Sequence, residues 1–191
     1  MKLKRKFYAC PTLIVAQDLL GKILVRRYQN KLIKGRIIET EAYIGKDDPA
    51  CHACNGMTKR NKPMFGKAGH AYIYFTYGMH YCFNIVTEKK GFGSAVLIRS
   101  VKPLTEIDFI RKQRGKKVNE KDLTNGPAKL CQAFVLDRKL NNEDLLGDKL
   151  WVEDDSFKVK KKGLATAKAV VKKSPRVGIR DGLDKNWRFY Y

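Results

Sequence analysis

Two pairs of strand-like runs, each pair joined by a short turn, constrain the fold of this chain more than any other feature. The runs are residues 22–28 with 32–44, and residues 70–77 with 80–87. β-Branched and aromatic side chains are frequent in them, and two such runs separated by a few turn residues predict a β-hairpin. The second hairpin turns at Gly78 and Met79, a weaker signal than Asn-Gly. The sheet of this protein is therefore expected to be mainly antiparallel.

Helices and further strands complete the pattern. The predicted helices are residues 11–20 with Thr12 as N-cap, 103–114, and 127–135 opened by Pro127. Further strands are predicted at residues 94–100, around 176–179 and at 187–191. At 191 residues the chain can bury one substantial core. Together these features predict an α+β fold: a single compact domain over residues 1–191, with a curved, mainly antiparallel sheet, flanking helices and a protruding β-hairpin.

Two segments lack strand or helix periodicity. Residues 45–69 are rich in turn formers and predict a long ordered loop, which compact domains rarely carry without a function. Residues 156–175 are rich in Lys, Ala and Val, and predict either a mobile surface segment or an amphipathic helix.

The charge of the chain points to a polyanionic partner. Forty Lys and Arg residues against nineteen Asp and Glu residues give a formal net charge of +21. Duplex nucleic acid suits such a surface best, because its phosphates and condensed counterions reward basic groups. Anionic lipid would need an amphipathic anchor or a lipidation signal, and neither is evident. Charge alone is equally compatible with a generally lysine-rich surface.

The sequence also bears on the compartment. The basic residues 1–7 are not followed by an apolar run or a small-residue cleavage site, so secretion is not expected. No stretch approaches the roughly twenty apolar residues of a membrane span. Five cysteines without a regular framework fit a reducing environment. We expect an intracellular protein, in the cytoplasm or at the nucleoid, with no membrane partner.

Strand 36–43 carries the first chemical signal. Because side chains alternate along a strand, Glu39, Glu41 and Tyr43 share one face. Two carboxylates on one strand face are costly to bury unless they are hydrogen-bonded or functional. The alternative is a solvent-exposed face of an edge strand. Strand alternation alone does not choose between the two glutamates.

The second hairpin carries the next signal. A register centred on Gly78 places Tyr74 opposite Cys82 and Tyr72 opposite Asn84, which puts Tyr72, Tyr74 and Asn84 on one face. Tyr77 and Met79 then protrude at the tip, where an aromatic ring can enter a base stack as a minor-groove wedge does. The alternative is an ordinary aromatic core strand that ends in a surface tyrosine.

Two further segments were weighed as ligand sites. Cys51, His52 and Cys54 suggest zinc, but zinc sites need a complete ligand set, and no second pair with the required spacing follows. No metal is therefore predicted, and His52 is expected to act in a pocket or to satisfy the loop backbone. Residues 124–129 offer a helix start and Lys129, a combination that attracts a phosphate or a carboxylate.

The order and spacing of these pieces resemble the alkyladenine DNA glycosylase family, the 3-methyladenine glycosylases of the mammalian and bacterial type II class. The resemblance rests on residues 16–22 and 39–45, His52, Arg60-Asn61, Met64-Phe65, Tyr72-Ile73-Tyr74, Tyr77-Gly78-Met79, Asn84, 97–99, 125–132 and 176–179. Gln17, Lys62-Pro63 and the Cys51/Cys54 pair depart from the family pattern. The last two departures affect the pocket expected from the 45–69 loop.

The resemblance implies a role for each candidate residue. It selects Glu41 as the base that activates water for attack on the sugar C1′, with Arg99 helping to hold that water. A flipped base would lie between Tyr43, His52 and Tyr74, with Asn84 as a filter against normal purines. Tyr77, with Met79 beside it, would fill the gap in the duplex. Arg60, Lys129 or the 158–162 cluster would contact the DNA backbone.

The expected function is excision of alkylated or deaminated purines from double-stranded DNA by a monofunctional glycosylase. No lysine stands out as a Schiff-base nucleophile, so strand cleavage at the abasic site is not expected. No cofactor is expected, and the resemblance together with a DNA-facing surface favours a monomer. Two rival hypotheses remain at this point. One is a non-catalytic DNA-binding module on the same scaffold, and the other is a metal- or cofactor-dependent enzyme acting on RNA through the Cys-His-Cys cluster.

Overall fold

The computed structural model describes residues 1–115, 117–157, 159 and 170–191. Its described strands form one curved sheet in which each paired strand runs antiparallel to its neighbour. The strands are β1 (Ile23–Tyr28), β2 (Lys31–Ile44), β3 (Ala71–Thr76), β4 (His80–Val86), β5 (Ser94–Pro103), β6 (Leu150–Glu153), β7 (Lys172–Ser174) and β8 (Arg188–Tyr190). The helices are α1 (Arg5–Tyr8), α2 (Thr12–Asp18), α3 (Ile107–Arg114) and α4 (Pro127–Ala133). The predicted α+β fold is confirmed.

The long strand β2 organises the sheet. The main strand order is β3-β4-β5-β2-β1-β6, so β2 pairs along one edge with β5. Its other edge pairs first with β1 and then, at Glu39–Glu41, with β8. Gly35 lies where β2 crosses β5 closely, because an added Cβ would stand 2.6 Å from Val101 Cγ2 and 2.9 Å from Phe134 Cζ. The pairing of β2 with β8 brings the last strand of the chain beside the two glutamates.

The main apolar core lies on one face of the sheet. Helices α2 and α4 pack there, contributing residues such as Leu19 and Phe134 against Ile37 and Ile98 of the sheet. A smaller apolar cluster lies under the 45–69 loop, where Met64 packs with Tyr72 and its neighbours. Both sides of the sheet are therefore covered around β3, β4 and β5.

Some predicted boundaries were wrong. Thr12 is the first helical residue rather than the cap, and Pro11 occupies the N-cap position without a side-chain hydrogen bond. The predicted helix 103–114 begins only at Ile107, because β5 continues to Pro103. Residues 176–179 form no strand, since Gly178 adopts a φ of 76° in a turn. Strands β6 and β7 were not predicted.

Other predictions are confirmed. The 45–69 loop is ordered and includes a 3-10 helix over Lys62–Phe65. The hairpin register is as predicted, with Tyr74 opposite Cys82 and Tyr72 opposite Asn84. The prediction for residues 156–175 falls largely outside the described residues, as does most of the 158–162 cluster. Within the described ranges, no helix is both long and apolar enough to cross a bilayer.

Candidate active site

A cavity of about 430 Å³ opens between the β3–β4 hairpin, the 45–69 loop and the segment that precedes β8. This volume lies in the range of sites that bind small ligands. Its walls are formed by Tyr43, Ala50, His52, Met64, Tyr72, Tyr74, Thr76, Tyr77, Cys82, Asn84, Leu97, Arg99, Pro127, Val177, Gly178, Ile179, Arg180 and Asp181. The cavity thus collects most of the residues that the sequence singled out.

A paired irregularity in β2 and β5 determines which side chains face this cavity. Ile37 pairs with Val101 and Thr40 with Ile98, but between them Glu39 pairs out of step with Ser100. In β2 the core-facing residues change there from odd to even positions. Uninterrupted alternation from Ile37 would have turned the glutamates into the apolar core. The irregularity instead places them on the cavity side.

Glu41 is fully buried in this arrangement, with 0% of its surface exposed. Its Oε1 accepts a hydrogen bond from the backbone N–H of Val177 at 2.8 Å and lies 3.3 Å from Arg99 Nη1. Its Oε2 accepts a hydrogen bond from the Tyr43 hydroxyl at 2.9 Å. Tyr43, Arg99 and Val177 all line the cavity, so the carboxylate lies directly behind the cavity wall.

Burial raises the pKa of Glu41 above its ordinary value, because it penalises the charged form. The positive charge of Arg99 and the hydrogen bonds from Val177 and Tyr43 oppose this effect, while the charge of Glu39 adds to it. A carboxylate with a raised pKa is a stronger base than an exposed one. Glu41 can therefore accept a proton from a water molecule more readily than a surface glutamate can.

Glu39 occupies a different environment on the same strand face. Its Oε1 accepts hydrogen bonds from Arg99 Nε at 2.9 Å and from Arg188 Nε at 2.5 Å. Its side chain remains partly exposed, at 16%. Two guanidinium groups therefore engage this carboxylate, whereas Glu41 has one guanidinium, that of Arg99, beside two uncharged donors.

Aromatic rings form one wall of the cavity. The His52 and Tyr74 ring centroids are 4.5 Å apart in an edge-to-face arrangement, and the Tyr72 and Tyr74 rings are 5.4 Å apart. His52 Nδ1 lies 2.9 Å from the Tyr72 hydroxyl. Burial and the neighbouring charge of Arg60 lower the pKa of His52, so this imidazole is neutral at neutral pH. The wall offers π faces with fixed hydrogen-bonding groups at their edges.

Two polar residues accompany this wall: Asn84 lines the cavity, and Arg60 lies beside the Tyr74 ring. Asn84 is buried on β4, and its amide Nδ2 donates hydrogen bonds to the carbonyl oxygens of Tyr72 and Cys82, at 3.1 and 3.4 Å. These bonds fix the amide in the cavity floor. The exposed Arg60 guanidinium lies 5.3 Å from the Tyr74 ring centroid and donates to the Phe75 carbonyl. Its charge is therefore held against the aromatic wall.

The hairpin tip projects two apolar side chains into solvent. Tyr77 is 83% exposed and Met79 is 69% exposed. Tyr77 has a φ of 51°, a left-handed conformation that costs free energy in a non-glycine residue. Tyr77 also lines the cavity, so an exposed ring stands beside a pocket whose wall is built from aromatic side chains.

A buried ion pair fixes the far wall of the cavity. Arg176 Nη1 and Nη2 donate to the two carboxylate oxygens of Asp48 at 2.5 and 2.7 Å, and both side chains are fully buried. Arg176 Nη1 also donates to the carbonyl oxygen of Ala42, the residue after Glu41. The ion pair thus anchors the 45–69 loop and the Val177 N–H to β2.

Sequence reasoning assigned no role to Arg176, Asp48 or Val177. The resemblance included residues 176–179, but without a function for them. A signal was present, since an arginine followed closely by a glycine in a turn segment suggests a fixed position. Its partner lies 128 positions away, and no local pattern pairs them.

Lys129 lies outside the cavity walls. Its Nζ donates to Asn125 Oδ1 at 2.7 Å and is 3.9 Å from Asp122 Oδ1. Cys51 and Cys54 are free thiols, and burial raises the pKa of Cys51 to about 12. In the part of the chain that the structure describes, no three His, Cys, Asp or Glu side chains are grouped to hold a metal ion.

Comparison with known proteins gives consistent matches along the chain. A family model described as methylpurine-DNA glycosylase (MPG) matches residues 6–191. A protein of Carboxydothermus hydrogenoformans is 50% identical over 190 residues, which cover 100% of this chain and 95% of that protein. Relatives from Methanocella arvoryzae and Chlorobaculum parvum are 46% and 45% identical, cover 98% of this chain, and are themselves covered to 91% and 86%. All three carry the name "Putative 3-methyladenine DNA glycosylase".

The matched range includes every residue of the cavity wall and the glutamate behind it. Identity at this level over nearly the full length of both proteins is evidence of common family and fold. The chain therefore belongs to the methylpurine-DNA glycosylase family and is a hydrolytic DNA N-glycosylase of DNA repair.

Proposed function

We propose that this enzyme excises alkylated and deaminated purines, of the 3-methyladenine, 7-methylguanine, hypoxanthine and ethenoadenine class, from double-stranded DNA, with Glu41 as the base. The observation that carries the proposal is the position of Glu41, fully buried behind a wall of the groups that bind it. Among the described residues, Oε2 has one hydrogen-bond partner, so its second lone pair is available to a water proton.

The proposed reaction requires a nucleotide outside the helix, because a glycosidic bond inside the stack is inaccessible. Tyr77 would enter the duplex and occupy the space that the base leaves, with Met79 beside it. The base would then stack against Tyr43, His52 and Tyr74. Electron-rich ring faces favour a cationic alkylated purine.

Hydrolysis then follows from the charges. Glu41 accepts a proton from water, and the resulting hydroxide oxygen bonds to C1′ as the C1′–N bond breaks and its electron pair passes to the base. An N-alkylated cationic purine leaves as a neutral molecule and needs no proton. A neutral base such as hypoxanthine needs a proton on the leaving nitrogen. Arg99, with Nη1 near Oε1, would orient the water or the adjacent backbone.

Specificity and DNA contact are assigned as follows. The fixed amide of Asn84 would act as a steric and hydrogen-bonding filter against normal purines. Arg60 and Lys129 would contact DNA phosphates, which predicts that the logarithm of the binding constant falls linearly with the logarithm of the salt concentration. Among the described residues no lysine lines the cavity, which supports hydrolysis without a Schiff base and hence monofunctional action. We expect the enzyme to act as a monomer.

The test compares Glu41→Gln with the wild type in single-turnover release of 7-methylguanine and hypoxanthine from duplexes. The variant is expected to lose about 10²- to 10⁴-fold in rate, the usual contribution of a general base. Its affinity for lesion DNA should stay within about threefold, since Glu41 lies behind the wall. Glu153→Gln is the matched control, because it removes a paired strand glutamate far from the cavity. A Glu41→Gln enzyme with the wild-type rate would disprove the mechanism.

Monofunctional action has a separate test. Borohydride reduction during turnover traps any Schiff base between the enzyme and the sugar. We expect no covalent adduct, and strand cleavage only after alkali treatment of the product. A trapped complex would show that a lysine acts as nucleophile.

A further inference from the structure

The second glutamate of the strand, Glu39, is not used in the proposed reaction, yet it is firmly placed. The guanidinium of Arg99 connects Glu39 to Glu41, because its Nε donates to Glu39 while its Nη1 lies 3.3 Å from Glu41 Oε1. The same Glu39 oxygen accepts Arg188 Nε at 2.5 Å from the opposite side, on β8. Two arginines therefore share a single acceptor oxygen of Glu39, and one of them, Arg99, also contacts Glu41.

Resting on the function proposed above, we infer that Glu39 is a positioning residue that holds Arg99 through Nε and so sets how strongly Arg99 acts on Glu41. The better hydrogen bond of Arg99 goes to Glu39, at 2.9 Å, and the contact to Glu41 is a longer ion pair. If Glu39 lost its charge, Arg99 would keep Glu41 as its carboxylate partner among these two. The ionised form of Glu41 would then gain stabilisation.

Among the residues that the structure describes, the charged and titratable groups around Glu41 define what else contributes. They are Glu39 and Tyr43 on β2, Arg99 on β5, Cys82 on β4, Arg188 on β8, and Arg176 with its partner Asp48. Arg176 and Asp48 neutralise each other in a bidentate pair. Burial raises the pKa of Cys82, so this thiol is neutral at neutral pH. The net charge acting on Glu41 therefore depends on how Glu39, Arg99 and Arg188 divide their contacts.

The sign of the effect follows from both contributions of Glu39. Its own negative charge raises the pKa of Glu41, and its hydrogen bond draws Arg99 away. Removing the charge of Glu39 lowers the pKa of Glu41 through both. Excision by an ionised base falls as pH drops through that pKa, so the acid limb of the pH–rate profile must move to lower pH.

The experiment measures single-turnover release of 7-methylguanine against pH, because this cationic base leaves without protonation and the acid limb then reports Glu41 alone. Glu39→Gln is expected to lower the plateau rate and shift the limb down. One pH unit below the wild-type midpoint, it should retain roughly three times the wild-type fraction of its plateau. Glu39→Asp keeps the charge and should restore the wild-type midpoint. Glu153→Gln, with the same change in net charge, should leave the profile unchanged.

Arg188→Gln provides the opposite perturbation at the less buried end of the network. Without Arg188, Glu39 binds Arg99 alone and draws it further from Glu41, so the limb should move to higher pH. A Glu39→Gln profile that matches the wild type or moves upward would overturn the inference. If Glu39→Gln does not fold, an unshifted Arg188→Gln profile overturns it instead. Either result leaves the base itself intact, which only a fully active Glu41→Gln would refute.

Discussion

The buried ion pair between Arg176 and Asp48 makes a sharp prediction about stability. The two carboxylate oxygens of Asp48 accept separate hydrogen bonds from backbone N–H groups, Oδ2 from Ile44 and Oδ1 from Ala50, at 3.2 Å each. Asp48→Asn keeps only one of these oxygens and puts an amide N–H donor in place of the other. The variant therefore loses one acceptor together with the charge opposite a guanidinium with 0% exposure. An uncompensated buried charge of this kind costs about 3–5 kcal/mol of unfolding free energy.

The assay is equilibrium unfolding in urea, followed by tryptophan fluorescence, since the Trp187 ring centroid lies 5.2 Å from the Arg176 guanidinium carbon. Asp148→Asn is the matched control. Its partner Arg27 is 3.7 Å away, and the two side chains are 74% and 52% exposed. An exposed pair of this geometry contributes less than about 1 kcal/mol.

The same substitution tests the link to the active site. Arg176 fixes the backbone whose next N–H, from Val177, binds Glu41, so Asp48→Asn should also slow base excision. Replacing both partners by apolar side chains, Arg176→Met with Asp48→Leu, should recover part of the lost stability, because neither partner then leaves an unpaired buried charge. If Asp48→Asn lost no more stability than Asp148→Asn, the reasoning about desolvation at this site would be refuted.

Two further predictions concern the hairpin tip and the sheet. Tyr77→Ala should change the unfolding free energy by less than about 0.5 kcal/mol, because the ring is exposed. It should weaken lesion-DNA affinity about tenfold through lost stacking, and an unchanged Kd in a fluorescence titration would contradict the wedge. Gly35→Ala should cost about 1–3 kcal/mol in urea unfolding, because its methyl group would overlap Val101 and Phe134. Wild-type stability for this variant would show that the Val101 and Phe134 side chains can move aside without cost.

The hairpin was predictable because its determinants are local. A turn centred on Gly78 fixes the pairing of every residue on either side of it, and side-chain alternation then fixes the faces. The predicted grouping of Tyr72, Tyr74 and Asn84 on one face follows from these two rules alone. The same alternation put Glu39, Glu41 and Tyr43 together, and the Tyr43 hydroxyl does bind Glu41.

The rest depended on contacts between distant parts of the chain. The irregularity between β2 and β5 leaves the register unchanged on either side, so the alternation of β2 alone does not reveal it. The Val177 N–H reaches Glu41 across 136 positions, and Arg176 reaches Asp48 across 128. Burial of Glu41 is a property of these tertiary contacts. The strand pattern left open an exposed face, and only the folded chain shows the carboxylate fully enclosed.

The burial of Glu41 also affects how the substrate and the enzyme interact. A buried carboxylate is costly, and the cost of Glu41 is offset by a hydroxyl, a backbone N–H and a guanidinium, contributed by Tyr43, Val177 and Arg99. Each of these groups also lines the cavity. A flipped nucleobase that displaced any of these three groups would change its own binding and also the proton affinity of Glu41. Substitutions at Tyr43 or Arg99 are therefore expected to alter affinity and the pH dependence of excision together. Tyr77 stands at the exposed hairpin tip, so its substitution is expected to alter affinity first.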